Sequence, residues 1–139
     1  MAYALFCGKE IKAVELPNSL IMTANNVTRN GKRYFTYDEA KSFESEVMPY
    51  GWRLPTMSEM MSISRRRDGS PLESNKEGYI RKGESAPHNV GIAYYWLSDA
   101  EAPAEARALI DRGDSVDIVQ TDKESRLTIR LVKTANPRP

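Results

Sequence analysis

Four carboxylates in the last third of the chain, Asp99, Glu101, Asp111 and Asp114, are of the right type for a hard cation. Calcium needs about 6–8 oxygen ligands brought to one point. These four could in principle converge, but no ligand set is evident in their spacing, so no metal and no cofactor is expected. His88 is the only histidine, which rules out a Ser-His-Asp or zinc arrangement built on several histidines. Its neighbours Pro87 and Asn89 mark an exposed loop. Cys7 is the only cysteine, so no intrachain disulfide can form; it reads as a small buried hydrophobe. No glycine-rich phosphate loop follows a strand. Nor does any pair of carboxylates sit in the apolar setting that raises a pKa for acid–base work. No enzymatic chemistry is expected.

Recognition chemistry remains. A polar stretch, residues 65–89, carries charge of both signs, several turn residues, and only Tyr79 and Ile80 as anchors. A passage this long without structure of its own is usually functional or flexible, and loops let a rigid scaffold vary its chemistry. Arg65-Arg66-Arg67 is the only basic cluster; alone it reads as a solvated helix end whose cations complement the dipole. Tyr94 and Tyr95 alternate across a strand, so one is expected to face in and the other out, beside the loop. Tyrosine is enriched at interfaces. The candidate partner contacts are therefore Arg66, Arg67, Glu77, Tyr79, Tyr95 and Asp99.

The elements that must carry these residues are best marked in the middle of the chain. Thr36-Tyr37-Asp38-Glu39 has capping-box spacing, in which the threonine oxygen takes a first-turn amide and the glutamate reaches back. Tyr37, Ala40, Phe43 and Val47 then recur at helical spacing as one apolar stripe. Pro49 and Gly51 stop that helix. Trp52 and Leu54 alternate with Arg53, Pro55 keeps Leu54 out of the α region, and Thr56-Met57-Ser58-Glu59 is a second capping box launching Met60, Met61 and Ile63. Ahead of this core, residues 2–7 and 10–16 read as strands, 19–23 as a short apolar run, Asn30-Gly31 as a hairpin turn, and 32–35 as a strand entering the helix. Behind it, 93–97 is an aromatic strand. Leu127, Ile129 and Leu131 alternate with Arg126, Thr128 and Arg130, so Asp114 to Val132 is expected to form a hairpin with one buried face.

Tyr37-Asp38-Glu39-Ala40-Lys41 followed by Gly51-Trp52-Arg53-Leu54-Pro55-Thr56 and Glu59 resembles the helix–corner–helix core of C-type lectin-like domains. The resemblance is to their bacterial and phage branch: the Fibrobacter major paralogous domain, the collagen-binding domain of the Legionella collagen-like protein, and the formylglycine-generating-enzyme superfamily. Ala93 to Ser98 resembles that branch's Tyr-Trp-Ser-Ser segment. Ser125 to Lys133 is similar to its closing Gly-x-x-Val-Arg-Cys-Val-Lys strand, with Leu131 in place of the cysteine. The likeness spans roughly Tyr34 to Lys133. It implies an α+β C-type lectin-like fold, two helices on a small, mainly antiparallel sheet with a long loop at one side. It further implies that Trp52 and Trp96 are core, that the alanine-rich 104–110 is a strand, and that the loop carries ligand contacts. Sugar-binding members hold calcium with a Glu-Pro-Asn or Gln-Pro-Asp triplet and a Trp-Asn-Asp strand. Here the triplet is absent, and Trp96-Leu97-Ser98-Asp99 has leucine at the asparagine position. Formylglycine-type activity needs paired cysteines, which this chain lacks.

The bulk properties fit one domain: 139 residues, 40% hydrophobic and 28% charged, within the ordinary range. A net charge of +1 argues against electrostatically driven nucleic-acid binding, and no run approaches the ~20 apolar residues of a membrane span. The start lacks the basic and apolar regions of a signal peptide. The expected organisation is residues 1–30 as N-terminal strands or a docking arm, 31–133 as the C-type lectin-like domain, and 134–139 as a flexible tail. Combined with the resemblance, these features imply a non-enzymatic phage virion component, assembled in the bacterial cytoplasm: a receptor-binding, fibre or decoration protein. Its partners would be virion subunits or a host-surface receptor, with a glycan or a second copy of the chain as further candidates and neither nucleic acid nor membrane. The alternative is a cytoplasmic protein-binding module such as a host-takeover factor.

Overall fold

The computed structural model describes residues 2–6, 9–16, 20–23, 26–64, 77–101, 103–112 and 115–134. Among these, the chain builds a small α+β domain with two helices and two antiparallel sheets. The first sheet runs β1 (Ala2–Phe6), β2 (Lys9–Leu16), β3 (Leu20–Thr23) and β7 (Val132–Thr134) in that order. The second comprises β4 (Ala93–Glu101), β5 (Glu105–Asp111) and β6 (Val116–Asp122). Between the first three strands and the second sheet lie α1 (Tyr37–Val47) and α2 (Met57–Ser64). Asn30 and Gly31 both take positive φ, 53° and 80°, closing a tight turn in which Arg29 and Lys32 bridge. The strand expected at 32–35 reduces to that turn and one bridge from Phe35 to Leu127.

Both capping boxes form. The Thr36 hydroxyl accepts from the Glu39 amide at 3.2 Å, and the Glu39 carboxylate accepts from the Thr36 amide at 2.9 Å. The Tyr37, Ala40, Phe43 and Val47 stripe is buried. α1 ends in a 3-10 turn at Met48–Tyr50, released by Gly51 at φ 91°, where a side chain would be strained. Trp52 and Leu54 then turn inward with no exposed surface while Arg53 points outward, its backbone paired both ways with Val132. The Leu54 amide donates to the buried Glu44 carboxylate at 2.8 Å.

Arg53 locks this corner to α2. Its guanidinium grips Glu59 with two parallel hydrogen bonds of 2.8 and 2.7 Å, while Glu59 also accepts from the Thr56 amide at 2.9 Å. The Arg53 hydrogen bonds, with help from Thr56, outweigh partial burial and hold the Glu59 carboxyl below its ordinary pKa. A carboxylate with a depressed folded-state pKa stabilises the fold above its unfolded pKa and loses that contribution as pH falls through the folded one. Stability is therefore expected to decline as pH falls through and below the ordinary glutamate range. Glu59→Gln should be less stable near neutrality and show a shallower acid decline in denaturant melts. Parallel acid profiles would remove Glu59 from this role.

The second sheet is the middle layer. Tyr94, Trp96, Ala106, Ala108 and Ile110 face one apolar cluster with the α1 stripe, Trp52, Leu127, Ile129 and Leu131. Ala93, Tyr95, Leu97 and Leu109 face a second cluster with Met22, Met60 and Val132. With both faces covered, Tyr94 keeps 7% of its surface and Tyr95 none. This corrects the expectation that one of them faces solvent.

The expected hairpin from Asp114 to Val132 does not form. β6 pairs with β5 from Val116↔Asp111 to Asp122↔Glu105, and residues 126–132 thread between other elements. Their backbone exchanges bonds with Phe35, Ile80, Thr23, Val27 and Arg53. From Leu127 onward both faces of this segment are buried, since Thr128 and Arg130 are fully covered along with Leu127, Ile129 and Leu131, while Arg126 stays exposed. The physical reason is satisfied hydrogen bonding: Thr128 donates to the Tyr94 carbonyl, at a short separation, and Arg130 reaches the Thr23 carbonyl at 3.2 Å. Arg130 also lies over the Tyr95 ring, 5.5 Å from its centre. Thr134, expected in a loose tail, ends β7, while 135–139 and Cys7 lie outside the described residues.

Candidate functional site

The described part of the long loop is pinned rather than structureless. Tyr79 and His88 exchange backbone bonds of 3.1 and 2.7 Å, and Ile80 exchanges bonds of 2.8 and 2.7 Å with Arg126. Ile80 is buried. Gly78 takes φ 69°, and a Cβ there would stand 2.0 Å from the His88 carbonyl oxygen, so this crossing admits only glycine. The strip Tyr79-Ile80-Arg81 alternates like a strand, which turns Ile80 to the core and puts Tyr79 and Arg81 on the opposite side.

Above it lies an open groove of ≈ 500 Å³, walled by Tyr79 and Arg81 from the loop, Tyr94 and Ile110 from the sheet, and Gln120 and Asp122 at the end of β6. The Tyr79 and Tyr94 rings lie 4.4 Å apart between centres, tilted 35°. Asn89, in the left-handed region at φ 54°, donates from its amide to the Tyr94 hydroxyl at 2.8 Å. Arg81 Nε donates to the Tyr79 hydroxyl at 3.0 Å. His88 pairs with Glu84 across the loop tip. Aromatic faces, an apolar floor and fixed polar groups thus meet on one open surface.

The candidate contacts read from the sequence are scattered. Tyr79 lines the groove. Glu77 is half-buried and tied down by the Asn26 amide at 2.7 Å and by Arg33, while its carbonyl accepts from Tyr34 at 2.8 Å; it braces the loop from behind. Tyr95 is fully buried and cannot touch a partner, a correction that follows from the covered second face of the sheet. Arg66 and Arg67 lie outside the described residues, as does the side chain of Asp99. Arg81, Gln120 and Tyr94 complete the wall. Arg81 was legible in principle, since it follows Tyr79 by two in an alternating strip; Gln120 carried no such signal. Among the described residues, no group of three or more His, Cys, Asp or Glu side chains gathers as a metal site would. None of their helices is long and apolar enough to cross a membrane. Comparison with protein-family models, curated proteins and solved structures finds no match.

Proposed function

We propose that the chain is a non-enzymatic binding domain of C-type lectin-like architecture, which presents its loop-and-strand face to a protein partner as part of a phage virion. The observation that carries the binding reading is the Tyr79–Tyr94 groove, an aromatic and polar surface on a loop anchored by Ile80 and Gly78. A braced loop of this kind binds without a large ordering cost. Support for the architecture comes from the two capped helices around the Trp52 corner and from the burial of Trp52 and Trp96. The virion setting comes from the resemblance to phage-borne members of that fold, where it would act as a receptor-binding, fibre or decoration protein.

Two measurements test this. The protein is expected in purified, nuclease-treated phage particles at a stoichiometric level by quantitative mass spectrometry. Recovery only from the host-cell extract, bound to a host protein, would replace the virion role with the host-takeover one. Joint Tyr79→Ala and Arg81→Ala substitution should weaken partner binding by at least about tenfold, the effect of losing an interface anchor, with the melting temperature kept within a few degrees. Full binding by that variant would move the functional surface elsewhere.

A further inference from the structure

The groove presents donors whose directions are fixed by their neighbours. Arg81 uses Nε on the Tyr79 oxygen, which fixes the plane of an otherwise exposed guanidinium. Among the described residues its two terminal nitrogens meet no acceptor. The Tyr79 oxygen accepts from Arg81 and the Tyr94 oxygen from Asn89, so both phenol protons are turned elsewhere, and among the described residues no acceptor takes them. The nearby carboxylates each take one partner, Glu84 the His88 ring and Asp122 the Glu124 amide at 2.9 Å, and Glu84 lies close enough to Arg81 to feel its charge. Lys82 is held by Glu124 at 3.2 Å. What stays open is a planar guanidinium edge with phenolic donors beside it, over an apolar floor of Tyr94 and Ile110.

That geometry selects a ligand. A guanidinium fork matches the two oxygens of a carboxylate in one plane, and the ring faces accept an apolar body attached to it. Glu84 and Asp122 at the rim repel a dianion about twice as strongly as a monoanion, which disfavours phosphate. We propose that this groove binds a carboxylate through Arg81 and Tyr79, supplied either by an acidic residue of the partner protein or by a small organic acid. The proposal rests on the reading of this face as the binding face and names the group it recognises.

The test is a titration of the full-length protein, labelled with nitrogen-15, followed by amide and arginine Nε–H chemical shifts. The probes are benzoate, its neutral counterpart benzamide, inorganic phosphate, and a short glutamate-containing peptide beside the same peptide with glutamine. Benzoate and the glutamate peptide are expected to give saturable shifts at Arg81 Nε–H, Tyr79 and Gln120, while benzamide and the glutamine peptide leave them unchanged. Arg81→Gln should weaken binding by about tenfold, as loss of a charge-assisted pair does. Arg81→Lys should lose a comparable share, because the charge remains but the fork does not. Tighter binding of the peptide assigns the carboxylate to a protein partner, and tighter binding of benzoate assigns it to a small acid. The proposal is overturned by any of four results: no saturation with either carboxylate, an equal response to benzamide, tighter binding of phosphate, or undiminished affinity in both folded Arg81 variants. Each leaves the particle and partner measurements above standing as separate tests.

Discussion

Trp52→Ala is expected to destabilise the protein by ~3–5 kcal/mol, the range for deleting a large buried aromatic. Trp52 has no exposed surface and packs in the cluster that joins α1 to the second sheet. The outer side of its ring is closed by Lys133, whose ammonium lies 5.3 Å from the ring centre. The corner around it leaves little room for collapse. Its amide is tied to the Val47 carbonyl at 3.3 Å, Arg53 is paired with Val132, and Leu54 is held by Glu44. A cavity in so braced a site relaxes poorly, and that raises the cost. Denaturant melts of the two proteins measure it; a loss under ~1 kcal/mol would mean that the indole is not core.

The second large effect concerns the leading strands. A chain shortened to begin at Asn30 is expected not to fold, shown by loss of dispersed amide resonances and of a cooperative melt. β3 is the neighbour of β7 in the first sheet, and it contributes Met22, fully buried, and Ile21 to the two apolar clusters. Thr23 and Asn26 supply acceptors to the buried Arg130. Removing them takes two acceptors from a guanidinium held in the core, and each hydrogen bond lost from a charged group costs about 1.5–3 kcal/mol. A folded, cooperative shortened chain would show instead that residues 1–30 are an appendage.

Both effects bear on what could be read in the sequence. The helix–corner–helix region was legible because its signals are local: Thr36 with Glu39, Thr56 with Glu59, the α1 stripe and Gly51 each act within a few residues. The Asn30-Gly31 turn was legible for the same reason. The path of 126–132 was not. Its alternation fixes a period of two but names no partner, and Thr128 and Arg130 look like solvent-facing residues unless their acceptors are known. Those acceptors, at Tyr94 and Thr23, are remote in sequence. Tyr95 was misplaced by the same blindness, since strand alternation cannot say that a second layer covers the other face. At the site, Tyr79 was visible as the lone aromatic of a polar stretch. Gln120 joins it only because β6 pairs with β5 and not with the segment that follows.

The route of that same segment sets the order of assembly. Residues 126–132 bond to backbone at positions 23, 27, 35, 53 and 80, so one stretch of chain ties together five earlier positions. As the protein emerges from the ribosome, the capped helices can form in passing, but neither apolar cluster can seal until this thread arrives. Contacts so distant in sequence place folding in the slower, millisecond-to-second regime of non-local topologies. Until then the faces of β4 and β5 stay open and prone to association. Association between partly folded chains at high concentration is the expected consequence of that threading.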